Sequence, residues 1–204
     1  KLQVRIELGR TISNDDIAGL GADSIVLATG AEPLAVEVPG AAGSDVEVLS
    51  PHEVVRDGRP EARVAGVWDH AGGVIGLGAA EALIEAGCRV HVVTPAFAVA
   101  EDIDVVLRVP LYHRLMEAGT GFLPNTEVTS LDGRDVVLQN VYSGEESRIE
   151  GVDLLIAWHG NRAVDGLRQA IEAAGMELHV VGDSLAPRLA DIAIAEGALA
   201  ARRI

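Results

Sequence analysis

A single cysteine, Cys88, stands in 204 residues. No disulfide forms within such a chain, and no iron–sulfur cluster or thiolate zinc centre can be built from it. Aromatic side chains are nearly as scarce, at 3%. The apolar half of the composition, 49%, therefore rests on Val, Ile, Leu and Ala. Those residues fill parallel sheets that are buried on both faces. Basic residues are outnumbered 16 to 31, for a net charge of −15. A surface of that sign repels phosphate backbones and anionic lipid headgroups, which argues against nucleic acid and membrane as partners. No apolar run approaches the ~18 residues of a membrane span. The six histidines lack metal-ligand spacing, no G-x-S-x-G elbow is present, and no paired carboxylates stand out as acid and base. One thiol and an acidic surface fit a cytoplasmic setting. The opening residues read as a strand rather than a leader.

What is there is an alternation of strands and helices, and a chain of this length hides about 70% of its extended surface. "LQVRIEL", Leu2 to Leu8, alternates apolar and polar residues and predicts a strand. Ser13 is placed to cap a short acidic turn. "SIVLA", Ser24 to Ala28, predicts a buried strand that ends in the turn Thr29-Gly30. Residues 33–60 carry four of the eight prolines and predict a connection between lobes, with a short helix at "SPHEVV". A second module follows. "RVAGVWD" predicts a strand, "GGVIGLGAAEALIEAG" a helix closed by Gly87, and "RVHVVTP" a parallel strand, together one βαβ unit. A helix at "DVVLRVPLYHRLMEAG", strands with a hairpin near Ser143-Gly144 and a central strand at "VDLLIAW" complete it. The tail predicts a helix at "DGLRQAIEAAG", a strand ending in Gly182-Asp183, and a final helix.

Three turns have the composition to hold a nucleotide. In "HAGGVIG" the frame G-x-G-x-x-G is met at Gly73 and Gly76, while its first position is Ala71. Glycines Gly72, Gly73 and Gly76 let a pyrophosphate approach the backbone at a helix N-terminus. A turn kept only for close helix–sheet packing has the same composition. The next strand ends in Thr94 rather than a carboxylate, so a ribose would meet one hydroxyl there, and neither NAD nor NADP is favoured. Gly182 and Asp183 are placed to reach a ribityl chain or flavin phosphate, although Asp183 equally suits a helix cap. Thr29 and Gly30 form a third turn able to pass beneath an adenine–flavin diphosphate.

In order, "SIVLATGAEP", "VAGVWDHAGGVIGLGAAEALIEAGCRVHVVTP", "VDLLIAWHG" and "VVGDSLAPRLADIAIAEGALAARRI" resemble one family. It is the C-terminal half of the multidomain flavoproteins related to 2,4-dienoyl-CoA reductase and to trimethylamine and histamine dehydrogenases. The resemblance implies an α/β fold of two nested Rossmann-like lobes. It implies a partial FAD- or ADP-binding lobe over residues 1–50 and 161–204, shortened at its N-terminal side. An inserted NAD(P)-binding-like lobe would cover residues 51–160. FMN and an iron–sulfur cluster would belong to an N-terminal barrel outside this sequence, as a further part of the same protein or a separate subunit. The implied role is electron input, with hydride passing from NAD(P)H to FAD, and no substrate turnover by this chain alone. In the amine dehydrogenase branch the resemblance implies ADP only and no nicotinamide role. The competing expectation is a non-catalytic docking domain that binds ADP or no nucleotide.

Overall fold

Ser50 and Glu53 cap one another: the Glu53 carboxylate accepts the Ser50 N–H at 2.7 Å, and the Ser50 hydroxyl oxygen accepts the Glu53 N–H at 3.3 Å. With Pro51 at the first helical position, this starts a helix at the expected place. The computed structural model describes residues 4–58 and 61–204. In chain order its elements are β1 (Ser24–Leu27), β2 (Ala31–Pro33), β3 (Glu47–Leu49), α1 (Pro51–Asp57), β4 (Val64–Asp69) and α2 (Val74–Glu85). There follow β5 (Arg89–Val93), α3 (Val105–Glu117), β6 (Gly121–Leu123), β7 (Thr126–Asp132), β8 (Asp135–Asn140) and β9 (Glu146–Ile149). The chain ends with β10 (Leu154–Trp158), β11 (Asn161–Ala163), α4 (Arg168–Ala173), β12 (Glu177–Val180) and α5 (Ala190–Ala200). It divides into two compact units, one of Lys1–Glu32 with Asn161–Ile204 and the other of Pro33–Gly160.

The Pro33–Gly160 unit is built on a five-stranded sheet of order β3-β10-β4-β5-β6, with all four pairings parallel. Its strands alternate between two cores. Ala65 and Val67 of β4, Val90 and Val92 of β5, and Leu154 and Ile156 of β10 face α2, which answers with Leu77, Ala80 and Leu83 at helical spacing. Val64, Trp68, Val93, Leu155 and Ala157 point the other way, onto the antiparallel meander β7-β8-β9. Both faces are thus covered, which explains why β4 and β10 are wholly buried and read as continuous apolar runs. Each fully buried leucine here contributes about 1.5–3 kcal/mol of transfer free energy. Cys88 joins the first core as a small apolar residue; its thiol donates to the Ala62 carbonyl, and burial pushes its pKa up.

The other unit is thinner. β1 pairs parallel with β12, and β2 pairs with β11. Its buried cluster is Ile17, Leu27 and Ile171, edged by partly buried Ile25, Leu167 and Leu178. Ser13 opens the short 3-10 turn Asn14–Gly19, where both its N–H and its hydroxyl donate to the Asp16 carboxylate.

Three expectations are corrected. The strand at Leu2–Leu8 does not form over Val4–Leu8: Val4, Ile6 and Leu8 are exposed, and an alternating pattern without a partner ladder has nothing to pair with. Its first two residues lie outside the described ones. The strand at Ser24–Ala28 ends at Leu27 and is only partly buried, since Val26 is exposed. The segment 33–50, expected with the first lobe, lies in the Pro33–Gly160 unit. Its Val38 and Val46 enter the meander-side core, the Leu131 N–H donates to the Pro39 carbonyl at 2.7 Å, and β3 pairs with β10.

Candidate functional site

The strand order places a switch point between β4 and β10, because β5 and β6 follow β4 to one side while β10 and β3 lie on the other. In open α/β sheets the crevice beyond the carboxyl ends at such a point is where a dinucleotide lies. Asp69 closes β4 at that edge and is fully buried. One carboxylate oxygen, Oδ1, accepts the N–H of Ala71 at 2.9 Å and of Gly72 at 3.0 Å. The other, Oδ2, is buried without a partner. Burial pushes the Asp69 carboxyl above the usual range, and the two N–H bonds partly oppose that shift. Gly76, on the first turn of α2, lies against this side chain: a Cβ at position 76 would be 2.7 Å from the Asp69 carboxyl. Only glycine fits there. The Gly72 carbonyl accepts the Asp102 N–H, and the Asp102 carboxylate flanks the same glycine. Gly73 caps α2.

The rest of the crevice is also occupied. The His70 N–H donates to the Trp158 carbonyl at 2.9 Å and ties the ends of β4 and β10 together. His70 and His159 stack with ring centroids 3.8 Å apart and planes 14° from parallel. Trp68 meets His159 edge-on at 4.3 Å. His70 Nε2 lies 2.9 Å from the Glu127 carboxylate. Burial, reinforced by the charge of His70, lowers the His159 pKa to about 4, so that imidazole is neutral at neutral pH. Thr94, expected to touch a ribose, is buried, and its hydroxyl oxygen accepts the Ala96 N–H.

In the other unit, β1 and β12 run parallel and end side by side. Thr29-Gly30 follows one and Gly182-Asp183 the other, so the structure brings these four residues to one sheet edge. The Thr29 hydroxyl donates to the Val164 carbonyl. A cavity of about 880 Å³ opens beside Thr29, lined among others by Ser13, Ile17, Leu27 and Leu167. Of the four residues, Thr29 alone lines it. The Gly182 N–H donates to Glu196 of α5, whose other oxygen pairs with Arg188. Asp183 does not cap α5: that helix begins after Leu189, and the Asp183 carboxylate accepts the Arg188 N–H instead. Its side chain is half-buried, just beyond the end of β12.

Asp69, the histidine stack and Glu196 were not singled out from the sequence. A visible signal existed for the first: an apolar strand, "VAGVW", ends in an acid where the phosphate-binding frame wants small residues.

A parallel sheet with helical crossovers defines a Rossmann-like fold of the FAD/NAD(P)-binding oxidoreductase type. Residues 3–186 match the profile of the pyridine nucleotide-disulphide oxidoreductase family, and the chain belongs to it. It is 29% identical over 208 residues to the bilirubin reductase of Mediterraneibacter gnavus, an alignment covering 98% of this chain and 30% of that protein. It is 31% identical over 174 residues to the rubredoxin-NAD(+) reductase of Pseudomonas putida, covering 84% of this chain and 44% of that one. The histamine dehydrogenase of Rhizobium sp. 4-9 shares the fold with a TM-score of 0.84 at 23% identity, over 96% of this chain and 32% of the other. The chain therefore spans less than half the length of these relatives.

Proposed function

We propose that the chain is the nucleotide-binding, electron-input portion of a larger flavin-dependent oxidoreductase, and that its Lys1–Glu32/Asn161–Ile204 unit supplies part of an FAD or ADP site. The observation that carries this reading is the adjacency of Thr29-Gly30 and Gly182-Asp183 at the ends of two paired parallel strands. Glycine lets the backbone come close to a diphosphate, and the Asp183 carboxylate accepts from sugar hydroxyls. When bound, a flavin would supply the hydride-accepting chemistry. This chain's residues bind and orient it. The organic substrate would be handled elsewhere, in an FMN-bearing barrel of the same protein or of a partner subunit. The chain alone would then show no turnover.

The test is a titration of the isotopically labelled chain with ADP and with FAD, followed through backbone amide shifts. Saturable shifts at Thr29, Gly30, Gly182 and Asp183 are expected, weakened in Asp183→Ala while the fold persists. Silence at those amides, or an affinity unchanged in Asp183→Ala, overturns the reading. A second reading, in which the Pro33–Gly160 unit serves as a docking body without a nucleotide, is favoured by the filled crevice between β4 and β10.

A further inference from the structure

The family implies a pyridine nucleotide on the Pro33–Gly160 unit, at the turn between β4 and α2. The residues present do not fit one. In a working turn of this kind, backbone N–H groups point at a diphosphate, and the space beside the helix's first glycine stays clear for close approach. Here the carboxylate of the chain's own Asp69 lies at both. It takes the N–H groups of Ala71 and Gly72. It also packs against Gly76, in the space a methyl group there would need. Asp102 adds a second carboxylate beside Gly72. Two more features agree, and neither depends on Asp69. Thr94 turns its hydroxyl inward to Ala96, away from any ribose. The ends of β4 and β10 are themselves tied by the bond from the His70 N–H to the Trp158 carbonyl and flanked by the His70–His159 stack.

We propose that Asp69 is a resident ligand, which closes this turn to the diphosphate of a pyridine nucleotide and makes position 69 the determinant of what the unit can bind. Glycine positions that look like a binding motif thus serve an internal ligand. The frame at Gly73 and Gly76 persists because Asp69 needs it: Gly76 leaves room for the carboxylate, as it would for a phosphate. The unit then keeps its Rossmann-like body without delivering hydride, and a flavin on the other unit would take its electrons from a donor bound elsewhere. This inference concerns a different unit from the proposed FAD or ADP site and stands without it.

The experiment compares the full chain with Asp69→Gly and Asp69→Asn, following backbone amide shifts with inorganic pyrophosphate and with NADH as probes. The parent is expected to show no saturable shift at Ala71, Gly72 or Gly73 with either probe up to millimolar concentration. Asp69→Asn keeps an oxygen for both N–H groups and is expected to stay silent as well. Asp69→Gly frees them, and its turn is expected to respond to pyrophosphate at concentrations about tenfold or more below any response of the parent. Saturable shifts at these amides in the parent overturn the proposal, as does a folded Asp69→Gly that stays silent. Should Asp69→Gly fail to fold, the parent and Asp69→Asn still decide, because a response in either contradicts a closed turn. Amides of Thr29, Gly30, Gly182 and Asp183 in the same titrations report the other unit separately, so failure of one reading is not mistaken for failure of the other.

Discussion

The two units solve the same problem to different depths. In Pro33–Gly160, helices cover one face of a five-stranded parallel sheet and a meander covers the other, so its central strands see no water. In the other unit two ladders of two strands rest on a cluster of three buried residues, and Val26, Leu189, Ile194 and Leu199 stay exposed. Yet the thinner unit keeps a large cavity beside Thr29, with the Gly182 N–H and the Asp183 carboxylate engaged by Glu196 and the Arg188 N–H, while the better-packed unit turns Asp69 into its own crevice. Packing quality and ligand readiness are separable, because a side chain that completes a core at a switch point removes the crevice a cofactor would occupy.

Both tryptophans, Trp68 and Trp158, belong to the better-packed unit, so their fluorescence reports its unfolding alone. The largest effect is expected from Gly40→Ala. A Cβ there would be 2.1 Å from the Leu131 carbonyl oxygen, on a backbone with φ +85°. A loss of about 3–5 kcal/mol in urea unfolding followed by tryptophan is expected. An unchanged transition would show that residues 33–50 do not hold this unit together.

Next come two matched truncations. Leu83→Ala empties a fully buried position on the core-facing side of α2 and is expected to cost about 3–4 kcal/mol in the tryptophan transition. Ile171→Ala, at 1% exposure in the other unit, is expected to cost about 2–3 kcal/mol in amide-exchange protection there and to leave the tryptophan transition in place. Equal shifts of the tryptophan signal in both variants would break the comparison and make the chain one cooperative body.

Acid gives a smaller effect. The His159 imidazole has a folded pKa of about 4, against 6.5 for a free one, so the unfolded state binds its proton first. Stability is therefore full above pH 6.5 and falls as pH drops toward 4. After solvent screening the loss is at most about 2 kcal/mol. Tryptophan-detected unfolding at a series of pH values measures it, and His159→Gln is expected to flatten the slope. A slope unchanged in that variant assigns the acid sensitivity elsewhere. The smallest effect has the opposite sign. Because the Asp69 pKa is raised, its protonated form suits the fold, and ionisation weakens the fold as pH rises above 3.8. Asp69→Asn is thus expected to be slightly more stable than the parent at neutral pH, with the gap closing in acid. A less stable variant at neutral pH would mean the charge itself holds the turn.

Much of the fold was legible because period and punctuation agreed. The βαβ run from Val64 to Val93, the short helix at "SPHEVV", the hairpin at Ser143-Gly144 and the buried β10 all announce themselves locally. Leu2–Leu8 misled because alternation describes a strand's faces and says nothing about a neighbour to pair with. Segment 33–50 misled because its prolines and glycines resemble a linker, while what anchors it is pairing with strands about a hundred residues away, such as β10. At the candidate sites, glycine spacing identified the turns but not their occupants. Whether an N–H meets a phosphate or the chain's own carboxylate depends on where one side chain points, and spacing does not carry that.

The close approach of Gly76 to Asp69 also orders the routes by which this turn can change. A methyl group at position 76 collides with the carboxylate as long as Asp69 is present, so Gly76→Ala is severe in the parent background and mild after Asp69→Gly. The two substitutions are strongly non-additive, and only one sequence of steps avoids an unstable intermediate. A lineage reopening the turn must change position 69 first. A lineage that fills position 76 first meets the clash with Asp69 and gains no site, because a phosphate needs the same clearance.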